Sequence, residues 1–179
     1  YTDSNGFYSF DGDATELTTD FVGRSIEVYN EQGADSSANF EAGADFAWDM
    51  NNNQVNIGQL DSYVFLNQVK AWGETWAPEV RMVTDDLISY VNIQGSCNAY
   101  YDGNVNYYRE SNQCNATARI ADVNYHEWGH GFHYYSLEAG TWDGSVSEGL
   151  ADAVSFFLTG DSVVAPYFMK NGSGIRDAA

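Results

Sequence analysis

His126-Glu127-Trp128-Gly129-His130 and, further along, Ser147-Glu148-Gly149-Leu150-Ala151-Asp152 carry most of the chemical information in this chain. All 3 histidines of the sequence, His126, His130 and His133, lie in or just after the first of these stretches. The pattern around them predicts a helix from about Asp122 to Ser136. Positions 126 and 130 then share one face, one turn apart, and their imidazoles can reach a single metal ion. Glu127 is rotated from His126 by about 100°. It can reach a water on that ion without being a ligand itself. His133 falls near the same face, but a third ligand from one straight helix has poor tetrahedral geometry. A hydrogen-bonded or exposed role is expected for it.

A second helix is expected from about Ser145 to Leu158, stopping at Gly160. Val146, Leu150, Val154, Phe157 and Leu158 are its expected buried face. Glu148 and Asp152 lie one turn apart on the opposite side. Imidazole and carboxylate donors suit zinc, and a catalytic zinc needs three protein ligands and one open position. Glu148 is the best third ligand. Asp152 is expected to accept the free ring N–H of a zinc-bound histidine and so fix its tautomer. The bland alternative is a polar helix face with a structural metal or none. Gly129 and Gly131 each cost the first helix up to about 1 kcal/mol relative to Ala, so close packing is expected to require them.

Outward from these helices, Ile88–Ile93 reads as a strand, and residues 98–109 read as a hairpin turning at Asp102-Gly103. Cys97 and Cys114 bracket that hairpin. A disulfide between them would close a short loop and stabilise by roughly 3 kcal/mol. Two buried free thiols are the alternative. Asp61 is expected to cap a helix carrying Phe65, Val69 and Trp72, ended by Gly73 and Pro78. In residues 1–60, rich in Gly, Asp, Asn and Ser, Phe7–Phe10 and Ser25–Tyr29 read as strands, and Gln32 to Asn53 as mostly loop. Strands before helices suggest an α+β fold. The division expected is a β-rich segment over residues 1–60 and a catalytic core over residues 61–179.

Composition narrows the partners. The chain has 179 residues, with 7 Lys+Arg against 26 Asp+Glu and a formal net charge of -19. Phosphate contacts need a basic surface, so nucleic acid is an improbable partner; anionic membranes are disfavoured for the same reason. No apolar run reaches the roughly 18–20 residues of a membrane-spanning helix. The acidic, Lys-poor composition and the cysteine pair point to secretion. The start at Tyr1 and the stop after Arg176-Asp177-Ala178-Ala179 read as a processed or truncated piece, so a further segment of the same precursor is expected. Calcium is a second candidate ion, given the many carboxylates, although Asp11-Gly12-Asp13 does not continue as an EF-hand loop.

These residues resemble the gluzincin metallopeptidases, specifically the thermolysin-like peptidases and the fungalysins. The resemblance covers roughly residues 61–179. His-Glu-Trp-Gly-His is similar to the zinc helix of that family. Ser147–Asp152 is similar to its glutamate helix, with Glu148 as ligand and Asp152 as the supporting carboxylate. Cys97-Asn98-Ala99-Tyr100-Tyr101 resembles the edge strand that pairs with a bound peptide, which implies Asn98 and Ala99 as substrate contacts; an ordinary hairpin is the alternative. Gly174-Ile175-Arg176-Asp177 is similar to the segment whose arginine contacts a substrate carbonyl, and a salt-bridge role for Arg176 is the alternative. The family's later histidine has no counterpart here, and Thr141-Trp142 stands near the place of its tyrosine.

The resemblance implies a thermolysin-like zincin in which a β-rich part precedes the active-site and glutamate helices. It implies a secreted zinc endopeptidase that hydrolyses protein or peptide substrates with metal-activated water. His126, His130 and Glu148 hold Zn²⁺ in this reading, and Glu127 is the general base. An aminopeptidase of the same clan and a catalytically silent metal-stabilised binding module are the alternatives. The Gly-x-Met-x-Asn strand of the aminopeptidases is not found in the sequence.

Overall fold

The computed structural model describes residues 12–48, 54–137 and 142–179, and only the backbone of 54–56. The expected strand at Phe7–Phe10 lies outside the described residues. In chain order, β1 (Glu16–Asp20), β2 (Ile26–Asn30) and β3 (Ser37–Glu41) precede a long helix, α1 (Gln54–Trp76), and a single-turn helix, α2 (Arg81–Thr84). Then come β4 (Leu87–Ile93), β5 (Ala99–Tyr101), β6 (Val105–Tyr108) and a 3-10 turn at Thr117–Arg119. The chain continues through α3 (Ala121–Ser136), α4 (Gly144–Thr159), β7 (Val163–Val164) and β8 (Arg176–Asp177). This is the α+β class expected.

The central sheet has the order β2-β4-β6-β5. The first three strands are parallel, and β5 pairs antiparallel with β6 at the edge, Ala99 opposite Tyr107 and Tyr101 opposite Val105. The hairpin expected over residues 98–109 is therefore present. Ile26, Val28, Leu87 and Val91 alternate inward along β2 and β4, as a half-buried strand requires. α1 packs on β2 and β4, and α3 packs on β5 and β6. Leu66, Val69, Tyr107 and Trp128 are fully enclosed between these layers.

Several expected boundaries move. The helix expected to start at Asp61 begins at Gln54, and Asp61 instead receives Arg119 Nε at 3.3 Å. Gly73 does not end that helix. A Cβ there would stand 2.9 Å from Val83 Cγ2 and 3.0 Å from the Trp128 ring, so its smallness serves packing. The helix stops at Trp76, two residues before Pro78, which disfavours helical backbone before it. Within the expected loop, Ser37–Glu41 is a strand that pairs antiparallel with Glu16–Asp20. Neither strand buries a full face, so the sequence carries no apolar alternation there.

Candidate active site

α3 is fixed from behind. Trp128 is fully buried and packs edge-on to Trp72 and face-on to Phe132, with ring centroids 6.5 and 5.0 Å away. This turns the His126/His130 face toward α4. α4 starts at Asp143, whose Oδ1 accepts from Val146 N at 3.0 Å, and ends at Gly160 in the left-handed conformation, φ 70°. The two helices cross in backbone contact. A Cβ on Gly129 would stand 2.7 Å from Ala151 Cα, so only glycine permits this approach.

The crossing reverses the expected burial of α4. Ser147, Ala151, Val154 and Ser155 are buried, whereas Val146, Leu150 and Phe157 are 53%, 45% and 76% exposed. At this separation the contact face must be built from small side chains, so the large apolar residues cannot form it. Val154 alone of the expected stripe lies in the buried core.

The crossing brings the histidine pair, buried at His126 and half-buried at His130, to the exposed carboxylate of Glu148. His126 Nε2 lies 3.4 Å from Glu148 Oε2, and His130 Nε2 lies 3.5 Å from Glu148 Oε1. The two imidazoles meet edge to face with centroids 4.6 Å apart. One donor atom from each of the three residues lies within 4.8 Å of the others. A tetrahedral zinc with bonds of roughly 2.0–2.1 Å has ligand–ligand edges of about 3.3 Å. The two contacts of Glu148 are close to that edge length, one through each of its oxygens. Among the described residues this is the one cluster where three such groups converge.

The far nitrogen of each ring has an oxygen of α4 close by. His126 Nδ1 lies 2.8 Å from Asp152 Oδ1, and His130 Nδ1 lies 2.8 Å from Ser147 Oγ. Asp152 in turn takes Arg176 in a two-pronged pair, Nε to Oδ2 at 2.8 Å and a terminal nitrogen to Oδ1 at 2.7 Å. The same terminal nitrogen reaches Glu148 Oε2 at 3.3 Å. The short β7–β8 ladder delivers this arginine, with Val164 opposite Arg176. Arg176 therefore joins the carboxylates of the site, and it also lines the cleft. Ser147 was not expected in the site. A lone serine before the glutamate carries no pattern that marks it.

The electrostatics follow from burial. Desolvation raises the Glu127 carboxyl to about 7, with His126 and Arg176 opposing the rise and Glu148 adding to it. Its Oε2 is buried and has no hydrogen-bond partner among the described residues. Desolvation lowers His130 to about 4, so the ring stays neutral, the form that binds metals. Burial alone would raise Asp152. Hydrogen bonds from His126 and Arg176 outweigh it and hold this carboxyl at about 2. His133 is buried, its ring centroid 4.8 Å from that of Trp142, which lines the cleft.

A cleft of about 500 Å³ opens over these groups. Val123, Val164, Phe168 and Ile175 are among its apolar lining residues, and Asn98 and Ala99 also line it. β5 is the edge strand of the sheet, so its outer side is not occupied by another described strand. Thr117 Oγ1 bonds the Asn98 carbonyl at 3.0 Å and secures the start of that strand. Cys97 and Cys114 form a disulfide with Cα atoms 5.3 Å apart, which ties the same point to the segment leading into α3.

No protein-family model matches the sequence, and no curated protein matches it. Among solved structures, the chain is similar to the precursor of protealysin, a metalloproteinase from Serratia proteamaculans. The TM-score is 0.63 at 15% identity, over 85% of this chain and 52% of that chain. The chain thus spans about half the length of that precursor, and at this identity the likeness is one of fold.

Proposed function

We propose that the chain is a zinc-dependent endopeptidase. The observation that carries this reading is the convergence of His126 Nε2 and His130 Nε2 on the two oxygens of Glu148 at 3.4 and 3.5 Å, beside the unpartnered buried oxygen of Glu127. The donor set, two imidazoles and a carboxylate, fits zinc. The metalloproteinase fold of its structural neighbour supports the same reading.

His126, His130 and Glu148 would hold the ion. When bound, zinc supplies polarisation of a peptide carbonyl and acidification of water. Glu127 stands on α3 next to a ligand and within the cleft. As general base its free Oε2 takes a proton from the attacking water and returns it to the leaving amine, so the proton balance closes on one side chain. Asp152 holds His126 and is itself held by Arg176. The outer side of β5 offers backbone N–H and C=O groups to an extended peptide, which binds by strand addition with Asn98 and Ala99 at the contact. Arg176 completes the cleft wall beside the scissile bond. The same reading makes residues 61–179 the catalytic core and gives the chain a secreted role, since the Cys97–Cys114 bridge persists in an oxidising compartment.

Glu127→Gln tests the reading. It keeps the size of the side chain and removes the base. Peptide hydrolysis, measured on a quenched fluorogenic peptide, should fall by about 10²–10⁴-fold while zinc remains bound. Hydrolysis at the wild-type rate in this variant, or in the wild type after exhaustive chelation, would refute the mechanism.

A further inference from the structure

We propose that Ser147 is a positioning residue for the metal site, holding the His130 ring in the tautomer that leaves Nε2 free to bind. The inference rests on the metal-binding reading above and assigns a residue that the ligand pattern does not contain.

α4 meets each imidazole with a different partner. His126 Nδ1 faces the carboxylate of Asp152, which can only accept, so the ring proton is drawn to Nδ1. His130 Nδ1 faces a hydroxyl, Ser147 Oγ, at 2.8 Å, and Ser147 is 1% exposed. No other partner of His130 Nδ1 is found among the described residues. A neutral imidazole has one proton for two nitrogens. If it sits on Nε2, that nitrogen cannot ligate. Water favours this blocking tautomer for a free histidine side chain, so the protein must reverse the preference at His130.

Ser147 does so by accepting the Nδ1–H. Its own proton can turn back to the carbonyl of Asp143, four residues earlier, as helical serines do. That carbonyl already takes Ser147 N–H at 3.0 Å. The Ser147 side chain is thereby supplied with both an acceptor for its own proton and a donor, the ring N–H. Because Ser147 and Glu148 are consecutive on α4, one helix sets both the ligand and the orientation of the ring it faces.

The test uses the chain labelled with ¹⁵N-histidine, metal-free, at pH 8, with long-range ¹H–¹⁵N spectra to read the tautomer. Zinc affinity is measured by competition with a chromophoric chelator. The wild type should show His130 with its proton on Nδ1. Ser147→Ala should move the proton toward Nε2 and weaken zinc binding by about 10–100-fold. Ser147→Thr, which keeps the hydroxyl, should restore both. A wild-type spectrum with the His130 proton on Nε2 overturns the proposal without recourse to any variant. So does a Ser147→Ala chain with unchanged tautomer and affinity, or a Ser147→Thr chain as weak as the alanine form. A wild type that binds no zinc at all would instead sink the metal reading itself.

Discussion

Gly129→Ala places one methyl group where α3 and α4 touch, and its effect can be worked out from the crossing. The new Cβ would stand 2.7 Å from Ala151 Cα and 3.3 Å from Ala151 Cβ. Carbon atoms settle at about 3.5–4.0 Å, so the helices must part by about 1 Å. The nearest atom is backbone, so no side-chain tip can swing away. Alanine favours the helix over glycine by about 1 kcal/mol, whereas overpacking of this kind costs about 1–3 kcal/mol. The net expectation is a loss of about 1 kcal/mol, which lowers Tm by roughly 2–4 °C for a domain of this size. The larger effect falls on the metal. Separations of 3.4 and 3.5 Å between Glu148 and the two rings would open past the edge a tetrahedral zinc can span. Zinc affinity should drop by about 10–100-fold. Gly149→Ala is the matched control, because nothing lies within 4 Å of its added Cβ. It should raise Tm slightly and leave zinc binding alone. Thermal unfolding in chelator and zinc competition titrations read both effects. Gly129→Ala that stabilises as Gly149→Ala does, and binds zinc like the wild type, would refute the reasoning.

Three more outcomes follow from the site. Burial raises Glu127 from its ordinary value near 4.5 to about 7, so the native metal-free chain holds a proton there that the unfolded chain has lost. Stability should therefore fall between pH 4.5 and 7 by an amount on the order of 3 kcal/mol that Glu127→Gln does not lose, read as the difference between the two pH–stability curves in chelator; superimposable curves would contradict it. Asp152→Asn removes the negative charge beside His126 Nδ1 and one of the two oxygens that hold Arg176, and should cost zinc affinity by about 10–100-fold; chelator competition showing no change would count against the role of Asp152. Reducing the Cys97–Cys114 bridge releases a loop of sequence separation 17 and should lower stability by roughly 3 kcal/mol. Because it loosens β5 rather than α3 or α4, KM for a peptide should rise more than zinc affinity falls; equal losses of both would contradict that placement.

The sequence shows the metal helices well because their signals are local. His126 and His130 at i and i+4, and Gly160 at the end of α4, act within one or two turns. The burial of α4 was not legible by the same logic. A helix that packs through Ser147, Ala151 and Ser155 against Gly129 hides its contact face from any apolar-stripe reading, and Val146, Leu150 and Phe157 turn outward. The ribbon of β1 and β3 left no trace because its strands bury no continuous face. Ser147 escaped because its role comes from a helix crossing, a tertiary fact. Arg176 was recognisable only through its neighbours Gly174, Ile175 and Asp177; its pairing with Asp152 depends on the fold of β7 and β8.

The central claim is that one zinc ion sits among two imidazoles of α3 and one carboxylate of α4. Zinc-edge X-ray absorption on the purified chain, with metal content measured alongside, tests it most directly. The account predicts one zinc per chain, with two imidazole nitrogens and a carboxylate oxygen at about 2.0–2.2 Å, and loss of that ion in Glu148→Ala. A wild-type chain that retains no zinc after dialysis, or a Glu148→Ala chain with the same content and spectrum, would contradict it.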